Sequence, residues 1–390
     1  MNEKKVATGE RKARTNSHEE LIIAGVQAIC KHGIDQVTVS TVTSITGHSR
    51  PTFYSYFGDV QGLFAEIWIN YGPALFDQLL DFEPREETEW ENHLSWAMLQ
   101  ILSIAHRSPE VSEVLIPDVQ KWWKANAGTT EVAQLRTSWL LGVQLGVKMA
   151  RMITPECVLA EQVIPAIRAI PDSLDGTPIL DKLAPLPDLS DVPAFLANPL
   201  SREDELMQAA AEVVASSGVK AASVARVARK CRVSTGTIYP RFQTGADLLT
   251  ATFDSAINNV VSANLEHLDT MKNVADQFGY VVIVGQSDNR RVWRDFRQEM
   301  HLAAMYDHEL RKMIRPGFEA TRNRLVDISL SAGVIAEEFI DPSTWLMHAI
   351  AVGLTMLQHA GIAVGKMDHR IVIRFLGSVV SPASNSLRLN

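Results

Sequence analysis

Along the 390-residue chain, apolar and polar positions alternate with a helical period in most segments. Residues 21, 24, 25, 28 and 29 are apolar or small, and so are 206, 209, 210, 213 and 214. This is the i, i+3, i+4, i+7, i+8 stripe of a helix lying on a core. The two stripes are the same stripe seen twice. Displacing the chain by 185 positions aligns 19–68 with 204–253 without a gap. Eleven of the fifty pairs are then identical, where chance gives roughly three. They include Gly33/Gly218, Val42/Val227, Ser49/Ser234, Thr52/Thr237, Tyr54/Tyr239 and Phe57/Phe242. Two copies so far apart are a duplication and not a solenoid.

Each copy predicts three short helices. Gly33 and Gly218 end the first, as a residue at positive φ would. Thr38 and Ser223 stand where an N-cap is needed for the second. Breaks at "TGHS" (46–49) and "CRVS" (231–234) follow, and Ser49 and Ser234 are placed to cap the third. Pro51 sits early in that helix, where a missing N–H costs nothing. Further helical patterns run over 60–82, 90–106, 109–126 and 130–153, and over 245–270, 289–304, 307–331 and 342–362. No alternating strand pattern stands out, so the chain reads as all-α. Seven of its 17 prolines fall in 165–199, which predicts an extended linker between the copies.

Composition adds mostly exclusions. With 46% hydrophobic and 21% charged residues the chain is globular in character, and its length suggests more than one domain. Three scattered cysteines form neither a disulfide framework nor a zinc motif, which fits a reducing cytoplasm. The N-terminus has no apolar run of the kind a signal peptide carries. Residues 345–364 are long enough to span a bilayer, but they contain His348, Gln358 and His359 and read better as a buried interface helix. Glu299 and His301 have no nucleophile motif or Gly-rich phosphate loop beside them, so no enzyme, cofactor or metal is expected.

The net charge of −8 hides a contrast. Residues 218–242 carry Lys220, Arg226, Arg229, Lys230, Arg232 and Arg241 and no acid, a local +6; the equivalent 33–57 carries Arg50 against Asp35, a local zero. Two short helices joined by a tight turn can place the second in a DNA major groove, and cations beside it add counterion-release affinity. The second copy is therefore expected to hold phosphates more firmly. The first has a basic stretch before it, with Lys4, Lys5, Arg11, Lys12 and Arg14.

Both copies resemble the N-terminal DNA-binding domain of the TetR family of transcriptional regulators. The resemblance rests on an apolar helix, a Gly, "T/S-V-x-x-V", a turn, and "S-x-x-T-aromatic/Ile-Tyr-x-x-Phe" with a Leu beyond. It implies two TetR-like units, each a helix-turn-helix head on a helical ligand-binding and dimerisation body. The expected divisions are a first head at 1–66, a first body at 67–170, a Pro-rich linker at 171–199, a second head at 200–250 and a second body at 251–390. By the same resemblance DNA would be touched by Thr38, Ser49, Arg50, Thr52, Tyr54 and Tyr56 in the first head. In the second the contacts would be Ser223, Arg226, Ser234, Thr235, Thr237, Tyr239 and Arg241. Phe53, Phe57, Ile238 and Phe242 read as core. Two departures stand out. The Lys that the family places three residues after the Phe is replaced by Val60 and Gly245, and Pro240 falls inside the third helix, where it should shorten or kink it.

The implied function is a DNA-binding regulator, a repressor released by a small apolar effector. Effector contacts are sought at Trp96, His106 and Trp122 in the first body and at Trp293, Phe296 and Met300 in the second; core packing is the plainer reading for such residues. "WLLGVQLGVKMARMI" (139–153) and "WLMHAIAVGLTMLQHAGI" (345–362) look like counterparts and are expected to pair within the chain as a pseudo-dimer, with a homodimer as a further option. The operator would be double-stranded DNA read as an imperfect inverted repeat. The competing reading is a ligand-binding or protein-interaction scaffold with vestigial helix-turn-helix units.

Overall fold

The computed structural model describes residues 3–81, 88–180, 183, 189, 201–268, 274–332 and 337–380. Most of the expected linker at 171–199, and the side chains of the basic stretch at 1–15, lie outside the described residues. The described residues are helical with no strand, so the fold is all-α. They form two compact units, Met1–Trp122 and Trp123–Asn390.

The first unit contains α1 (Glu3–His32), α2 (Val39–Thr46), α3 (Arg50–Phe57), α4 (Val60–Asp81), α5 (Glu89–Ile104) and α6 (Pro109–Asn126) as far as Trp122. Leu21, Ala24, Ala28 and Ile29 of α1 are buried, as the stripe predicts, together with Val42, Phe53, Phe57 and Leu63. Gly33 has φ 81 and ψ 147, a region that a side chain resists, and it turns the chain out of α1. Thr38 caps α2 in a reciprocal box with Thr41, and Ser49 Oγ accepts from Thr52 N at 3.3 Å to open α3.

The second unit contains α7 (Glu131–Ala150), a 3₁₀ segment (Pro155–Val163), α8 (Ile164–Arg168), α9 (Arg202–Ser217), α10 (Val224–Lys230), α11 (Gly245–Leu268), α12 (Val274–Gln286), α13 (Arg291–Ala304), α14 (His308–Ala332), α15 (Glu337–His359) and α16 (Arg370–Val380). The helical expectation for 342–362 is corrected at its start. α15 begins at Glu337 and carries Pro342 within it.

α7 and α15 cross at backbone contact. A Cβ built on Gly146 would lie 1.9 Å from the Ala349 carbonyl oxygen, and one on Gly353 would lie 1.8 Å from that of Gly142. Glycine is required there because the two backbones occupy the space a side chain would fill. Nearly every residue of α7 is buried, and so is most of α15 from Trp345 on. That explains why these helices lack a polar face and why 345–364 is so apolar. No helix of the described residues is long and apolar enough to cross a membrane.

Candidate nucleic-acid interface

In the first head, α2 and α3 form a helix-turn-helix whose turn is Gly47, with φ 75 and ψ 3. The side chains of α3 divide cleanly. Phe53 and Phe57 are buried, Phe57 stacked on His18 of α1, while Ser49, Arg50, Tyr54 and Ser55 are exposed and Thr52 and Tyr56 are half-buried. Several exposed groups are held in place. Ser49 Oγ lies 2.8 Å from Thr52 Oγ1, and Arg50 Nη2 donates to Ser40 Oγ at 3.3 Å, tying α3 to α2. Tyr56 packs against the His18 ring at 5.2 Å, and His48 Nε2 meets Glu20 Oε2 at 2.9 Å, which fastens the turn to α1. Tyr54 stays 52% exposed, its ring available to a phosphate backbone.

The charge of this head is altered by its surroundings. Asp35 is neutralised by Arg107 at 2.6 Å, so the local zero becomes the single exposed charge of Arg50. Asp59, beside the Val60 that replaces the family's Lys, caps α4. Its Oδ1 accepts from Gln61 N at 2.7 Å and Gly62 N at 3.0 Å.

The second head keeps the plan and loses one helix. Ser223 caps α10, accepting from Arg226 N at 3.3 Å. The expected third helix reduces to a 3₁₀ turn at Thr235–Thr237 followed by hydrogen-bonded turns to Arg241. Pro240 is the reason: without an N–H it cannot donate to the carbonyl four residues back, and its ring crowds the preceding turn. The expectation that Ser234 caps a helix is therefore corrected. Its hydroxyl makes no cap bond and stands 3.4 Å from Thr237 Oγ1. Ile238 and Phe242 are buried as expected. Ser234, Thr235, Tyr239 and Arg241 are exposed and Thr237 is half-buried.

The local +6 is also reduced, by acids on α9 that the count over 218–242 left out. Lys230 pairs with Glu212 at 2.6 Å and Arg241 with Glu203 at 3.3 Å. Among the described residues Arg226, Arg229 and Arg232 form no ion pair, and all three are exposed.

Arg232 was not among the expected DNA contacts. It has φ 56, the single non-glycine residue at positive φ among those described, and closes the C-terminus of α10 with a Val233 N to Ala228 O bond of 2.9 Å. The self-alignment pairs it with Gly47, and that pairing was the available signal. A non-glycine residue there costs about 1–2 kcal/mol relative to an unstrained conformation.

The expected effector residues fall in two places. Trp96, His106 and Trp122 are half-buried in the first unit, where Trp122 Nε1 donates to Asp77 Oδ1 at 2.7 Å. Trp293, Phe296 and Met300 are buried in the second unit's main core cluster, beside Phe253, Ile314 and Phe318.

Residues 206–252 match the family model described as bacterial regulatory proteins, tetR family. No curated protein matches the chain. Among solved structures, a chain described as a TetR-family transcriptional regulator from Rhodococcus sp. is similar at 22% identity with a TM-score of 0.40, covering 46% of this chain and 98% of that one. The family match falls on the second head and supports a DNA-binding transcriptional regulator.

Proposed function

We propose that the chain is a ligand-responsive transcriptional repressor carrying two TetR-type heads, each on its own helical body, with the divisions given by the sequence. The observation that carries this reading is the division of α3. Its apolar residues Phe53 and Phe57 are buried, and Arg50, Tyr54 and the hydroxyl groups at its N-terminal end stay outside on a capped, hydrogen-bonded frame. Such a tip fits the major groove, with Arg50 toward a guanine edge or phosphate.

Within this reading, the α7–α15 crossing is an intrachain version of a dimer interface. Single-chain pairing presents two unlike tips, so the operator is an imperfect inverted repeat. The test is binding stoichiometry on a footprinted operator from the DNA upstream of the coding region. One chain per asymmetric site supports the pairing; two chains on a perfectly symmetric site contradict it.

One observation favours a second reading. The Pro240 turn in place of a recognition helix suits a scaffold whose heads no longer read DNA. A flat salt response, with no preference for upstream DNA over unrelated DNA, would favour that reading.

A further inference from the structure

α13 carries an unusual set of buried polar residues. Arg297 and His301, one turn apart, are 9% and 0% exposed. Arg297 Nη2 donates to the Ala351 carbonyl at 2.6 Å and to Thr355 Oγ1 at 3.1 Å, both on α15, yet its Nε has no partner. No carboxylate pairs with it among the described residues. His301 Nδ1–H donates to the Arg297 carbonyl at 2.8 Å, which leaves Nε2 as an acceptor with nothing to accept from. His348 of α15 faces it, with ring centroids 5.5 Å apart, and its Nε2 is likewise out of solvent and unpartnered.

Around these groups the surface is aromatic. Phe318 of α14 packs on both imidazoles, at 4.9 Å and 4.5 Å. Trp345 stands edge-on to His348 at 6.1 Å, and Arg297 lies over the Trp293 ring at 5.7 Å. Burial, with His301 and the Arg297 charge beside it, pushes the His348 imidazole well down, and burial drives that of His301 to about 3, so both rings are neutral at pH 7.

A buried guanidinium held only by neutral oxygens is costly unless an anion joins it. An ionised carboxyl group supplies what Arg297 and His348 lack: an acceptor for Arg297 Nε–H and for an Nε2–H tautomer of His348, and a negative charge opposite the guanidinium. We propose that this α13–α14–α15 cluster binds the carboxyl group of an alkyl or aryl carboxylic acid, with Phe318, Trp293 and Trp345 against its apolar body. The proposal rests on the ligand-responsive reading above and gives the effector its chemical class. It also places the ligand one helix from the second head, because α13 packs on α9, whose Ala211, Val214 and Ala215 share a core cluster with Trp293 and Phe318.

The test is calorimetric titration of the full chain, without DNA, with octanoate and phenylacetate and with their neutral amides. The expected result is that an acid binds at least about tenfold more tightly than its amide, with Arg297→Met removing that advantage. Arg297→Met removes a charge lacking a counter-ion and keeps much of the volume. Should it fail to fold, His348→Phe keeps the core and is expected to weaken the acid severalfold while leaving the amide unchanged. Neither acid binding, an amide binding as tightly as its acid, or full acid affinity in the folded variant would overturn the proposal. DNA release is read separately, by gel shift with and without octanoate. Octanoate bound but DNA retained would count against the repressor reading and leave the site standing.

Discussion

Replacing Gly353 with Ala tests the α7–α15 crossing by a single methyl group. The new Cβ would lie 1.8 Å from the Gly142 carbonyl oxygen, 2.6 Å from its carbon and 2.7 Å from its Cα. Ordinary contact begins near 3.4 Å, so the helices must part by more than an ångström. The obstructing atoms are backbone, and α7 is buried on nearly all sides, so neither helix yields cheaply. Separation also loosens Ile350 and Leu354, which pack against Gly142. Overpacking of this kind costs about 1–3 kcal/mol or more, against a helix-propensity gain of up to about 1 kcal/mol. A net loss of about 2 kcal/mol is expected. Gly377→Ala in α16 is the control, since nothing lies within 4 Å of its Cβ position and only the propensity gain applies. Urea midpoints followed by circular dichroism should move in opposite directions for the two variants. Equal or stabilising behaviour of Gly353→Ala would refute the close crossing.

Acid should destabilise the second unit through His369, which is fully buried, accepts from Trp139 Nε1 at Nδ1 and donates from Nε2 to the Val364 carbonyl. Burial lowers its pKa to about 4. The unfolded chain then binds more protons below pH 6.5, so stability present above that value is lost as pH falls toward 4, by about 2 kcal/mol at pH 5 from this residue; urea midpoints that stay flat between pH 7 and 5 would contradict it. Arg232→Gly should raise stability by up to about 1 kcal/mol by relieving the positive φ, while weakening DNA binding and reducing its salt slope by about 1. Pro240→Ala should let the 235–241 turn close into a helix, seen as a small gain in helicity and tighter DNA binding; unchanged values would show that Pro240 is not what interrupts it.

Local patterns carried much of this architecture. The α1 and α9 stripes, the caps at Thr38, Ser49 and Ser223, and the buried Phe53, Phe57, Ile238 and Phe242 were legible because each rests on residues a few positions apart. α12 was not, because "VVIV" (281–284) within it is a run of β-branched residues without a helical stripe, and burial of Phe278, Tyr280, Val282, Ile283 and Val284 on several sides decides its conformation. The interrupted tip at 235–241 was foreshadowed by Pro240, but the lost Ser234 cap was not. The pairing of Lys230 and Arg241 with α9 acids, and of Asp35 with Arg107, needed tertiary structure, since the partners lie outside each counted span. The Arg297–His301–His348 cluster was hidden for the same reason. Its members sit on two helices, and each alone looks like an ordinary polar residue.

The central claim is that exposed cations and hydroxyl groups on the two heads bind duplex DNA. Its most direct measurement is the salt dependence of full-chain affinity for the upstream operator, by fluorescence anisotropy. Arg50, Arg226, Arg229 and Arg232 are exposed and without an acid partner among the described residues. If each neutralises one phosphate, log K should fall against log salt with a slope of about −3 to −4, and Arg50→Ala and Arg226→Ala should each reduce that slope by about 1. A flat salt response, or a slope that neither substitution changes, would contradict the account.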